Sequence, residues 1–151
     1  MTATGVVLAR EGSTYRVHAG GREVTAVLRG RLKLKDDDRV VAGDVVELDS
    51  TGDETAAITA IRPRKSLLAR RAAGGGERGP GRAQPIAANV DQVVVVAAAR
   101  DPEPSPRMLD RFLVVAAANG LPAVIVLNKI ELDRRAVERL GRRAISCWRR
   151  P

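Results

Sequence analysis

Apolar and polar residues alternate along the first part of the chain, from Gly5 to Pro63. A period of two is the pattern of strands that bury one face and expose the other. Gly20-Gly21 separates two of these segments, and paired glycines at such a place favour a tight hairpin turn. The pattern predicts five strands, which span residues 5–10, 14–19, 22–28, 45–48 and 55–61.

Five short strands in this length predict a small closed β-barrel over residues 1–66. The OB-fold is the commonest five-stranded barrel, and an SH3-like barrel is the alternative architecture. Tyr15 is the one aromatic residue of the segment, which disfavours sequence-specific stacking of single-stranded bases. Recognition of folded RNA through its backbone and shape stays open.

A second pattern follows the barrel. Residues 93–96 and 123–127 form continuous apolar runs, which are typical of strands buried on both faces of a parallel sheet. Between them, Ser105 is a suitable N-cap, Pro106 suits the first helical position and Gly120 favours the end of a helix. The pattern predicts a βαβ unit with a right-handed crossover. The inward face of its helix is predicted to carry Met108, Leu109, Phe112, Val115 and Ala116.

The second strand of this unit ends in a polar turn that carries Asn128, Lys129 and Glu131. Ligands of parallel sheets bind beyond the carboxyl ends of the strands, so this turn is a candidate binding site. Its sequence resembles the guanine-specificity motif of GTPases, usually Asn-Lys-x-Asp, in which the acid pairs with guanine and thereby excludes adenine. An ordinary strand-to-helix turn is the alternative interpretation. Glu131 is one methylene longer than Asp, and Asp133 lies two residues out of register.

Positive charge is concentrated in two segments of the chain, whose formal net charge is +8. Residues 62–82 contain seven Arg or Lys against one acid, and residues 134–151 repeat that count. Residues 67–85 are rich in Gly and Arg, which predicts a flexible basic linker. A short helix is predicted from Arg134 to Leu140, and residues 141–151 form an atypical tail without a strand pattern.

Basic residues alternate with apolar ones just after the third predicted strand, which places the cations on one face of an extended segment. Such a face suits a phosphate backbone. A solvated edge whose lysines deter aggregation is an equal alternative. Together with the cations that follow the fifth strand, the candidate RNA-binding residues are Arg29, Arg31, Lys33, Lys35, Arg62, Arg64 and Lys65.

Cys147 and His18 are the only residues of their types, so the chain has neither a disulfide framework nor the ligands of a zinc cluster. No metal site and no Cys/His or Ser/His/Asp catalytic set is predicted. No apolar run approaches the length of a membrane span, and the N-terminus lacks a signal-peptide core. We therefore predict a cytoplasmic protein that does not contact a membrane.

Several short motifs together resemble one family, the ribosome small subunit-dependent GTPase A (RsgA) proteins, which are circularly permuted GTPases. The strongest are Ile86-Ala-Ala-Asn-Val-Asp-Gln92 and Val126-Leu-Asn-Lys129. The others are Leu109-Asp-Arg-Phe-Leu113 and, in the barrel, Gly5-x-Val7, Tyr15-x-Val17, Arg29-Gly30-x-Leu32, Val41-x-Gly43-Asp44 and Ile61-x-Pro63-Arg64.

The resemblance implies an OB-fold, then a GTPase domain whose guanine motif precedes the P-loop, then a zinc-binding domain. It implies GTP or GDP with Mg²⁺ as ligands, and zinc in the C-terminal domain. The implied partners are the 30S subunit and its 16S rRNA during late maturation. Residues 86–140 would be the first part of the permuted GTPase domain, with Asn128, Lys129 and Glu131 at the guanine.

The chain contains no Gly-Lys-Ser/Thr sequence, so the phosphate loop of a GTPase is not present in it. We therefore predict that this chain alone does not hydrolyse GTP and that it is a truncated form of the family's protein. A non-enzymatic OB-fold module that binds rRNA is the alternative.

Overall fold

The computed structural model describes residues 2–30, 39–49, 55–71, 83–136 and 138. The chain divides into two compact units, Met1–Val90 and Asp91–Pro151. The first is called the barrel unit below, and the second the βαβ unit. No helix in the described ranges is long and apolar enough to cross a membrane.

The barrel unit contains the five predicted strands, and they close into a barrel. The order around the barrel is β1-β2-β3-β5-β4, with β4 returning to β1. All neighbours are antiparallel except β3 and β5, which are parallel. This closed arrangement is consistent with the predicted OB-fold. The strands are β1 Thr2–Glu11, β2 Thr14–Ala19, β3 Arg22–Leu28, β4 Val45–Asp49 and β5 Thr55–Ile61.

Alternating side chains fill the barrel, as the period of two predicts. Val17 and Ile58 are fully buried, and Tyr15 is 3% exposed, so its ring is a core element. Gly5 permits close packing, because a Cβ there would lie 2.6 Å from the Val17 Cγ1 atom. Gly20 and Gly21 both have positive φ, as the predicted hairpin turn requires. The core cluster consists of Val7, Tyr15, Val17, Ala19, Ala26, Val40, Val46, Leu48 and Ile58.

The segment predicted as a flexible linker, residues 67–85, differs from that prediction at both ends. β6 (Leu67–Arg71) pairs with β7 (Ala83–Ala88) in an antiparallel ribbon, and residues 72–82 lie outside the described ranges. Backbone pairing holds the ribbon even though its sequence is rich in Arg and Ala. The Ala88 amide also donates to the Ala42 carbonyl of the barrel unit, at 2.9 Å. The barrel unit therefore extends to Val90, beyond the predicted boundary at residue 66.

The βαβ unit has the predicted order of elements. β8 (Val93–Ala98) and β9 (Ala123–Asn128) are parallel, with a register from Val93↔Ala123 to Ala98↔Asn128. Between them lies α1 (Pro106–Ala118), with Ser105 at its N-cap and Pro106 in its first turn. Of the predicted C-terminal helix, Ala136 and Glu138 are helical, and residues 137 and 139–151 lie outside the described ranges.

The burial of this unit corrects two predictions. Of the predicted helix face, Leu109 and Ala116 are buried, but Met108 and Phe112 remain 45% and 49% exposed. The strands were expected to be buried on both faces, yet Val96 is 64% exposed. α1 packs against one face of the sheet, where Val95, Ala97 and Leu109 form the core cluster. Within the described residues, the opposite face of the sheet has no such cover.

Candidate functional site

The candidate site lies where β8 and β9 end at the same edge of their sheet. Ala98 pairs with Asn128, and the Ala99 amide donates to the Asn128 carbonyl at 2.8 Å. The two chain segments that leave the strands, Ala99–Asp101 and Asn128–Glu131, therefore start side by side. This is the edge at which ligands of parallel sheets bind.

Asn128 and Lys129 hold the turn after β9. The Asn128 Oδ1 atom accepts from the Lys129 amide at 2.8 Å, and Lys129 has a φ of 57°. The Lys129 Nζ atom donates to the Asp101 carbonyl at 2.6 Å, so its side chain links the two segments. The Lys129 carbonyl accepts from the Leu132 amide at 3.0 Å, which closes the turn. Both side chains are thus occupied in shaping the turn.

Either Glu131 or Asp133 could be the acidic residue of the motif, and their hydrogen bonds distinguish the two. The Asp133 Oδ1 atom accepts from the Arg135 amide at 3.0 Å, and the Asp133 carbonyl accepts from the Ala136 amide. Asp133 therefore shapes the next turn of the chain. Glu131 is exposed, and its carboxylate makes no hydrogen bond or ion pair with any described residue. Of the two acids, Glu131 is the one available to a ligand.

The turn combines an exposed carboxylate, that of Glu131, with a lysine side chain held by a hydrogen bond. A carboxylate can accept hydrogen bonds from two donors, and the stem of a lysine side chain is apolar. Among the described residues, no three His, Cys, Asp or Glu side chains are grouped as a metal ion requires.

The candidate RNA-binding cations within the described ranges divide into three groups. Arg29 forms an ion pair with Asp49 at 3.3 Å, and Arg62 lies 3.5 Å from Glu47, and both arginines are about half exposed. The Lys65 ammonium is exposed and has no partner among the described residues. Arg64 is mostly buried in an internal ion pair. Arg31, Lys33 and Lys35 lie outside the described ranges.

The Arg64–Asp44 pair fixes the loop before β4. Asp44 is fully buried, and its two carboxylate oxygens accept from Arg64 Nε at 2.7 Å and Nη2 at 2.9 Å. The same carboxylate accepts from the Val41 amide, and Arg64 Nη2 also donates to the Arg39 carbonyl. This bidentate geometry satisfies a buried charge and ties the end of the barrel to its loop. It makes Arg64 a packing residue and removes it from the accessible cations.

Asn89 joins the ribbon to the barrel, a role that periodicity did not reveal. Its Nδ2 atom donates to the Gly43 carbonyl, and its Oδ1 atom accepts from the Lys65 amide, both at 2.8 Å. Its φ is 54°, a region in which Asn is tolerated. Gly43 has a φ of +87°, and a Cβ there would overlap the Ala88 carbonyl. The sequence held one indication that these residues matter. Gly43, Asp44, Arg64 and Asn89 all lie within the short motifs that resemble the family.

Residues 61–145 of the chain, more than half of its length, match the family model described as RsgA GTPase. The chain belongs to the RsgA GTPase family. The small ribosomal subunit biogenesis GTPase RsgA of Gemmatimonas aurantiaca is 48% identical over 138 residues, covering 87% of this chain and 43% of the relative. The protein of that name from Moorella thermoacetica is 35% identical over 130 residues, covering 86% and 40%. The chain thus spans less than half the length of these curated relatives.

Two solved structures extend the likeness to the fold. The crystal structure of YjeQ from Thermotoga maritima has a TM-score of 0.68 at 29% identity, and the match covers 94% of this chain and 48% of that one. The structure of YloQ, described as a circularly permuted GTPase, has a TM-score of 0.63 at 25% identity, covering 96% and 47%. The RsgA resemblance seen in the sequence is therefore confirmed. Some of the short motifs that carried this resemblance contain packing residues, such as Asp44 and Arg64.

Proposed function

We propose that the turn after β9 binds the guanine base of GTP or GDP. The observation that carries this proposal is the exposed Glu131 carboxylate, which no described residue occupies. It follows by two residues a Lys129 side chain that is held by the Asp101 carbonyl. Guanine offers two adjacent N–H donors to a carboxylate, whereas adenine offers an acceptor at the equivalent ring nitrogen. Family membership supports the same ligand, because the matching family model is that of a GTPase.

The chain would contribute base recognition and no step of hydrolysis. Phosphate binding and Mg²⁺ would come from the parts of an RsgA protein that lie outside the match, since this sequence has no Gly-Lys-Ser/Thr. We therefore expect weak guanine-selective binding and no release of phosphate from GTP by this chain alone.

Calorimetric titration of the chain with GTP and with ATP, both with magnesium, tests the proposal. GTP should bind more tightly than ATP. Glu131→Gln should weaken GTP binding by roughly tenfold to a hundredfold, because hydrogen bonds to a charged group contribute about 1.5–3 kcal/mol. Glu23→Gln removes an exposed acid from the barrel unit and should leave the affinity unchanged. Equal affinities for GTP and ATP, or an unaltered Glu131→Gln variant, would contradict guanine recognition by this turn.

We also propose that the barrel unit contacts the 30S subunit through its 16S rRNA. The exposed Lys65 ammonium, without a partner in the described ranges, favours this function, and Arg29 and Arg62 extend the positive charge while shared with Asp49 and Glu47. The names of the relatives support a role at the small ribosomal subunit.

Binding of the chain to purified 30S subunits at several salt concentrations tests this second proposal. Contacts to RNA phosphates should make log K fall by about 0.7–0.9 per contact for each log unit of salt. Affinity that is independent of salt would argue against a phosphate interface.

A further inference from the structure

Two residues of the candidate site have an unusual backbone conformation. Among the described residues other than glycine, φ is positive at Asn89, Asp101 and Lys129, with values of 54°, 54° and 57°. Asn and Asp adopt this left-handed conformation more readily than other residues with a side chain, but lysine has no such tendency. Left-handed residues are costly and persist where their surroundings hold them. Contacts within the site must therefore keep Lys129 in this conformation.

Hydrogen bonds hold Lys129 at both ends. Its amide donates to the Asn128 Oδ1 atom at 2.8 Å, and its Nζ atom donates to the Asp101 carbonyl at 2.6 Å. The Ala99 amide donates to the Asn128 carbonyl, which keeps the starts of the two segments together. The bond from Lys129 to Asp101 therefore joins the two left-handed residues of the site directly.

Asp101 contributes its backbone to this contact and not its charge. Its carboxylate is exposed and makes no hydrogen bond or ion pair with any described residue. The direction of a carbonyl depends on the backbone dihedrals of its residue, so a residue that avoids positive φ would turn this carbonyl away from Lys129. A β-branched residue is an outlier at positive φ, whereas Asn is tolerated there. Position 101 thus requires a residue that accepts the left-handed conformation.

We propose that Asp101 is the positioning residue for Lys129. Its left-handed backbone presents the carbonyl that fixes the lysine side chain before a nucleotide binds, so that less conformational freedom is lost on binding. The effect on affinity rests on the proposed guanine site, but the contact between Lys129 and Asp101 forms without a ligand. The positioning role and the guanine site can therefore fail separately.

The first measurement follows the Lys129 ammonium by NMR in the nucleotide-free chain. The sequence contains four lysines, so their side-chain ammonium signals can be assigned by substitution. Asp101→Val should move the Lys129 signal towards that of the exposed Lys65, because the carbonyl no longer holds the ammonium. Asp101→Asn should keep the parent signal. Asp91→Val is the matched control, because Asp91 is an exposed acid of the same unit without a positive φ.

The second measurement is the affinity for GTP with magnesium, by calorimetry. Asp101→Val should weaken binding by about threefold to tenfold, the loss expected for one hydrogen bond. Asp101→Asn and Asp91→Val should leave the Kd within about twofold of the parent value. If Asp101→Val fails to fold by circular dichroism, Asp101→Ala replaces it, because alanine also disfavours positive φ.

A double variant tests whether Asp101 acts through Lys129. Lys129→Met keeps an apolar side chain and removes the ammonium. In that background, Asp101→Val should weaken GTP binding no further, because both changes remove the same contact. A role of Asp101 in folding alone would make the two losses additive.

Three results would overturn the proposal. The first is an unchanged Lys129 signal in Asp101→Val, which would show that the carbonyl does not hold the ammonium. The second is an equal loss of affinity in Asp101→Asn, which would assign the effect to the charge. The third is additive losses in the double variant. Equal affinity of the parent chain for GTP and ATP would contradict the guanine site instead, and the Lys129 signal would still decide the positioning role.

Discussion

The barrel unit buries more of its apolar side chains than the βαβ unit does. In the barrel, nine buried residues form one cluster and the strands close on themselves. In the described part of the βαβ unit, the cluster has three buried residues and the sheet has two strands. Eight of the twelve exposed large apolar residues in the described chain belong to the βαβ unit, although it is the smaller unit. Among the described residues, the closed sheet surrounds its core, whereas the two-stranded sheet is covered by α1 on one face.

The same contrast extends to polar contacts. The barrel unit buries a complete charge pair, Asp44 with Arg64, and satisfies it with backbone partners. In the βαβ unit, Lys129 and Asn128 shape an exposed turn, and Glu131 is left available. Polar groups in the first unit stabilise the fold, whereas at the sheet edge of the second the Glu131 carboxylate is exposed.

The largest expected effect is on the buried pair of the barrel unit. Arg64→Ala leaves the Asp44 carboxylate buried without its cation, which should lower the free energy of unfolding by about 3–5 kcal/mol. Arg62→Ala is the matched control, because its pair with Glu47 is half exposed and contributes about 0.2–1 kcal/mol. Urea denaturation, monitored through hydrogen exchange of the barrel amides, gives the free energy of unfolding of both variants.

A double variant separates charge from packing in that experiment. Asp44→Asn combined with Arg64→Ala removes the buried charge together with its partner, so it should be less destabilised than Arg64→Ala alone. If Arg64→Ala and Arg62→Ala had equal small effects, the contrast between a closed barrel with internal polar contacts and an open unit would not hold.

The next comparison truncates one core residue in each unit. Ile58→Ala should cost about 3–5 kcal/mol, because the closed barrel cannot collapse around the cavity. Leu109→Ala should cost about 2–3 kcal/mol, because its neighbours are covered on one side and can relax toward the vacated space. Hydrogen exchange resolved by unit gives both values. A larger loss from Leu109→Ala would reverse the order of the two cores.

The sequence predicted the strands and the helix because alternation and apolar runs report local geometry. It did not predict which apolar faces are covered. Met108 and Phe112 have the helical spacing of buried residues, but periodicity cannot tell whether an element exists to cover them. The ribbon of β6 and β7 was missed for a related reason, since Arg and Ala carry a weak strand signal and the backbone pairing is non-local.

The sequence predicted where the candidate site lies along the chain, but it did not predict the contacts that shape it. Asn128 is the last residue of β9, one position beyond the predicted strand, and Lys129 and Glu131 follow it. The Lys129 contact with Asp101 was not foreseen, because Asp101 contributes its backbone carbonyl, which any residue possesses. Arg64 was grouped with RNA-binding cations because its partner Asp44 is twenty positions away, and sequence spacing gives no sign of such a contact.

The smallest expected effect comes from making one substitution in both units. Val17→Thr puts a hydroxyl in the barrel core, where Val17 is fully buried, and should cost about 1–3 kcal/mol. Val96→Thr is made on a side chain that is 64% exposed and should change stability by less than about 0.5 kcal/mol. Thermal unfolding with hydrogen exchange compares the two variants. Because the change in atoms is identical, any difference between them reports the cover over the side chain. Equal costs would mean that Val96 is already covered in this chain, and the contrast between the two units would not hold at this position.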